Sequence, residues 1–178
     1  MPQRELGPLN AYLTPPQAEL FRRMPRCDQR HSLDVFHALA RKGYHDHDLM
    51  VATLLHDVGK SRGRLRLWHR VLIVLIKALR PQLLGKLASS PPPHPPLPGE
   101  GAGATEGGLA SDEPRSWRYP FFVHQHHPEL GAQLAQAAGC SPATVALIRR
   151  HQEPPASNPL KTHQDKLLAA LQEADRVN

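Results

Sequence analysis

One helix-length stretch is apolar nearly all round: Leu49, Met50, Val51, Ala52, Leu54 and Leu55. A helix without a polar face belongs in the middle of other helices. A chain that contains one must wrap a bundle around it. The stretch ends in His56-Asp57-Val58-Gly59-Lys60. A carboxylate at the end of a buried run needs a partner, because an unpaired buried charge is costly enough to shift its pKa or recruit a counter-ion. A metal ion is a partner that holds both His56 and Asp57.

The surrounding sequence supplies the other helices. Thr14-Pro15-Pro16 reads as a helix start, with Thr14 at the N-cap and prolines in the first turn. That helix runs from about residue 16 to 24. A second, from about 26 to 41, carries Leu33, Val35, Phe36, Leu39 and Ala40 at helical spacing and stops at Gly43. Asp46 or Asp48 caps the apolar third helix, expected over about 49–58. Further helices are expected from near Pro128 to Ala138, from Ser141-Pro142 to His151, and from about 162 to 177. Residues 1–13 lack periodicity and read as a loose N-terminus. Aromatics make up only 5% of the chain, and leucine and alanine dominate its apolar positions, which favours helix over strand. The expected fold class is therefore all-α, with residues 14–178 as one domain.

That domain is interrupted. Residues 61–88 are basic and apolar; Lys60 to Lys86 holds eight lysines and arginines and no acidic residue. This block supplies the net charge of +6 and leaves the remainder slightly acidic. Such a block suits an anionic partner: phosphate, nucleic acid or a lipid surface. Three readings stay open for it: a buried helix pair, a cationic amphipathic segment on an anionic membrane through residues 65–87, or a protein interface. Residues 89–115, beginning Ser89-Ser90-Pro91-Pro92-Pro93, form a Pro/Gly-rich flexible linker. The longest strongly apolar run, Val71 to Ile76, is six residues, against about 20 for a membrane span. Two cysteines, Cys27 and Cys140, make no disulfide framework, and no secretory leader is evident. A reduced, cytoplasmic protein is the expectation.

Ligand-type residues recur on different helices or helix ends: His31, His56 with Asp57, His127, His151 and Asp175. Helical bundles build metal sites in this way, from side chains converging inward. Histidine and aspartate without cysteine suit one or two divalent transition ions, Mn, Fe, Co, Ni or Zn. Neighbouring helix residues point about 100° apart, so His56 serves one ion while the two oxygens of Asp57 can bridge two. Lys60, three residues beyond Asp57, falls on the same side and can hold a phosphate oxygen.

The order His31, then His56-Asp57 within His-Asp-Val-Gly-Lys, then Asp175, resembles the HD domain superfamily of metal-dependent phosphohydrolases. His127 in His-Pro-Glu-Leu-Gly and His151 extend the resemblance to its two-metal members. It spans about residues 28–176, apart from the insertion. It implies an HD-type helical bundle in which His31, His56, Asp57 and Asp175 hold one metal, and Asp57, His127 and His151 a second. It further implies an enzyme that hydrolyses a phosphomonoester or phosphodiester, expected to be a nucleotide, by metal-activated water. Asp57 and Lys60 would be its catalytic residues, and Lys60 and Arg150 would bind phosphate. The alternative is a non-catalytic HD module that binds a nucleotide, a protein or a membrane surface. The Gly-Tyr-Pro signature of the cyclic-di-GMP phosphodiesterase branch is replaced here by Gln152-Glu153-Pro154, so cyclic-di-GMP is not the expected substrate. Cys27 stands where trinuclear members carry a glutamate, so no third metal is expected.

Overall fold

A computed structural model describes residues 3–63, 119–154 and 162–178. The expectations for the basic block beyond Gly63 and for the linker 89–115 fall outside these residues. Among the described residues every regular element is helical: α1 (Gln3–Tyr12), α2 (Pro15–Arg23), α3 (Arg26–Arg41), α4 (His47–Leu55), a 3-10 helix (Val58–Arg62), α5 (Tyr119–Ala137), α6 (Pro142–Arg150) and α7 (His163–Val177). The fold is all-α. The chain divides into two compact units, one formed by residues 1–62 with 126–178 and the other by 63–125. The description below concerns the first.

Helix α4 occupies the centre of this unit, as its all-round apolar surface requires. Leu49, Met50, Ala52, Leu54 and Leu55 have no exposed surface, and α1, α2, α3, α6 and α7 all pack against the helix. Asp46 caps its N-terminus by accepting from the Leu49 N–H at 3.0 Å. Asp48 does something else. Its carboxylate reaches α6, where it accepts from the hydroxyls of Ser141 and Thr144. Ser141 is in turn the N-cap of α6, accepting from the Thr144 N–H at 3.0 Å. One part-buried polar cluster thus registers the start of α4 against the start of α6.

Two elements depart from expectation. The N-terminal residues read as loose form α1, and Leu9 and Leu13 are buried in the core. Tyr12 sets its ring edge-on to Phe36 of α3, with centroids 5.4 Å apart. Tertiary packing here overrides a sequence in which Pro8 and few apolar residues hide any periodicity. Helix α5 begins at Tyr119 rather than near Pro128, so the proline lies inside it. The missing N–H forfeits one helical hydrogen bond, yet the helix continues past it.

Candidate metal centre

Helix α4 ends at Leu55, and the chain changes pitch at His56-Asp57 before the 3-10 helix. The change follows from the sequence: Gly59 presses backbone to backbone on α5. A Cβ on Gly59 would stand 2.0 Å from the His127 carbonyl oxygen and 2.8 Å from the Gly131 nitrogen. Only glycine fits there, and the contact sets Asp57 beside His127.

His56 and His151 are positioned by the same device. Each is the residue that closes a helix, α4 and α6 respectively. The last carbonyls of a helix lack intrahelical donors. His56 Nδ1 donates to the Thr53 carbonyl at 2.8 Å, and His151 Nδ1 to the Ile148 carbonyl at 2.7 Å. A carbonyl only accepts, so Nδ1 carries the proton in both rings, and the neutral His151 ring presents its Nε2 lone pair inward. Histidine ligands are typically oriented by such a hydrogen bond. His151 Nε2 is buried with no hydrogen-bond partner.

The six candidate ligands gather in two groups. His31 of α3, His56 and Asp175 of α7 form one; Asp57, His127 of α5 and His151 form the other. Within each, the ligand atoms lie within 4.8 Å of one another. Asp175 Oδ1 is 2.7 Å from His31 Nε2 and 3.3 Å from His56 Nε2. Asp57 Oδ1 is 3.4 Å from His127 Nε2. The groups adjoin, since the His56 and His151 ring centroids are 5.3 Å apart. Asp57 falls in the second group, with its Oδ2 3.7 Å from His56 Nε2, a spacing that leaves it beside the first.

Charges follow the geometry. Burial opposes ionisation of Asp57, but His56, His127 and Lys60 outweigh it and hold the carboxyl well below the usual range. Burial likewise opposes ionisation of Asp175, and hydrogen bonds from His31 and His56 overcome it. Burial lowers the pKa of His56, yet Asp57 and Asp175 together raise it on balance. His151, buried and beside His56, is pushed down to about 3. Two ionised carboxylates and a neutral imidazole are the states that bind a cation.

The two expected phosphate-binding cations are both engaged. The 3-10 helix turns once every three residues, so Lys60 stacks over Asp57 and its Nζ donates to Oδ2 at 2.5 Å. Arg150 closes α6 beside His151, but its guanidinium is held by Glu153 at 2.9 Å and Asp165 at 3.4 Å. Sequence reasoning missed the close backbone packing of Gly59 and Gly131 and took Asp48 only as a possible cap of α4. A glycine inside His-Asp-x-Gly-Lys and another four residues after His127 were the available signal for the close crossing.

Comparison of the chain with protein-family models, curated proteins and solved structures gives no match. The buried Asp57, His127 and His151 are nevertheless a group able to hold a metal ion. Nitrogen and oxygen donors of this kind, with an unsatisfied buried Nε2 among them, fit a divalent transition metal. No helix among the described residues is long and apolar enough to cross a membrane.

Proposed function

We propose that the chain is an HD-type metal-dependent phosphohydrolase acting on a small phosphorylated molecule, a nucleotide being the favoured class. The observation that carries this reading is the pair of adjoining triads, His31/His56/Asp175 and Asp57/His127/His151. Divalent ions bound there would supply an acidified water and neutralise charge building on phosphoryl oxygens. The protein's own part is preorganisation. The Thr53 and Ile148 carbonyls fix two imidazoles, and burial of Asp57, His127 and His151 excludes bulk water from one side of the site. Lys60, the partly exposed neighbour of Asp57, would bind a phosphate oxygen. Arg150 can join it after exchanging its carboxylate partners.

The test is turnover of a nucleotide and phosphoester panel by purified protein with Mn, Co, Ni or Fe. His56→Ala and Asp57→Ala should each abolish it; activity unchanged in both variants contradicts the proposal. A second reading, a non-catalytic metal-binding HD module, is favoured by one observation: Lys60 and Arg150 are both paired with carboxylates. Metal retained without turnover on the whole panel would support it.

A further inference from the structure

The two triads are not equivalent. The partners of Asp175 are imidazoles, His31 and His56, whose ring nitrogens are themselves candidate ligand atoms of the same group. Asp57 instead carries an ammonium group on Oδ2 at 2.5 Å, with His127 on the Oδ1 side. An ion bound through Asp57 must displace that ammonium or share one carboxylate with it. Two cations a few ångströms apart in a buried site repel strongly.

We propose that Lys60 is the built-in competitor for the ion held by Asp57, His127 and His151, and that a phosphate group, by drawing Lys60 away, couples its own binding to loading of that ion. The inference rests on the phosphohydrolase reading and adds an order of events to it. The His31/His56/Asp175 group loads first, and the second group fills when a phosphate arrives. Exposure supports the direction of exchange. The Lys60 side chain is 22% exposed and that of Asp57 3%, so an incoming anion meets the ammonium and not the carboxylate. Lysine's flexible four-carbon stem permits the move without backbone change. A phosphate oxygen replaces the carboxylate as its charged acceptor. The site therefore completes itself only around the kind of ligand it acts on, which spares the buried Asp57 an unpaired state in the interval.

The test is equilibrium dialysis of the full chain, stripped by chelator, against Mn2+ with and without inorganic phosphate, reading bound manganese by elemental analysis. In the wild type, phosphate should tighten the second ion by about tenfold or more. Lys60→Met should bind that ion about as tightly without phosphate and respond little to it. Lys60→Arg, which keeps the charge, should retain the phosphate dependence. Wild-type binding that ignores phosphate overturns the proposal, even where Lys60→Met fails to fold. So does a folded Lys60→Met that binds the second ion no tighter than wild type. Two ions bound without phosphate linkage defeat the role of Lys60 alone, whereas no manganese bound at either group defeats the phosphohydrolase reading.

Discussion

The Cα of Gly59 lies so close to His127 that a Cβ added there would stand 2.0 Å from that residue's carbonyl oxygen. The obstacle is backbone, which cannot rotate away. Gly59→Ala should therefore force the 3-10 helix off α5, separate Asp57 from His127, and cost about 3 kcal/mol. Gly43 gives the contrast. It has φ +84° but open space around its Cβ position, so Gly43→Ala pays for backbone strain alone, about 1 kcal/mol. Urea denaturation of the two variants should rank them in that order, and equal losses would contradict the crossing.

The Asp48 cluster predicts a loss of stability without loss of the site. Asp48→Ala leaves the Ser141 and Thr144 hydroxyls without their shared acceptor at the start of α6. The expected cost is about 1–3 kcal/mol, seen as a lower melting temperature. Metal content should persist, because Asp48 belongs to neither ligand group. Loss of bound metal in a folded variant would show that this brace does more than hold two helices in register.

In metal-free buffer, His151 makes stability depend on pH. Its folded pKa is about 3 against an ordinary 6.5. Between those values the unfolded chain takes up a proton that the folded chain refuses. The stabilising contribution is full above pH 6.5 and is lost as pH falls toward 3, by at most about 1.4 kcal/mol per pH unit. His56, with its raised pKa, acts oppositely and loses its contribution as pH rises. His151→Gln should flatten the acid-side loss in denaturation curves at pH 6, 5 and 4; an unchanged slope would remove His151 as its source.

Ions that bind the assembled triads and not the unfolded chain should stabilise the fold. At about a hundredfold excess over the dissociation constant, a single site adds about 2.7 kcal/mol. A thermal scan with Mn2+ should show a higher midpoint that chelator reverses. His56→Ala should lose most of the shift, since this ring belongs to one triad and abuts the other. A midpoint indifferent to metal would argue against both groups.

Much of this architecture was legible in the sequence for identifiable reasons. The all-round apolar α4 announced a central helix, and Thr14, Asp46 and Ser141 marked helix starts by capping chemistry. The candidate ligands stood out because each is polar at the edge of an apolar pattern. How they divide into two groups was implied only by the family resemblance and not by the residues alone, since it depends on the change of pitch after Leu55 and on the Gly59 crossing. Helix α1 was hidden because Leu9 and Leu13 are too few to make a periodic signal. The pairing of Lys60 with Asp57 was expected as proximity and found as an ion pair, which changes what the lysine does before a ligand arrives. Arg150 looked available beside His151; Glu153 and Asp165, one of them fifteen residues away, hold it.

Metal content in paired variants tests the central claim most directly. Wild type, Asp175→Ala and His151→Ala would be dialysed against excess Mn2+ and phosphate and measured by elemental analysis. Two adjoining groups predict two ions in the wild type, and each variant should lose one, Asp175→Ala from the first triad and His151→Ala from the second. A wild type that retains no manganese, or variants that keep the full wild-type content, would contradict the account.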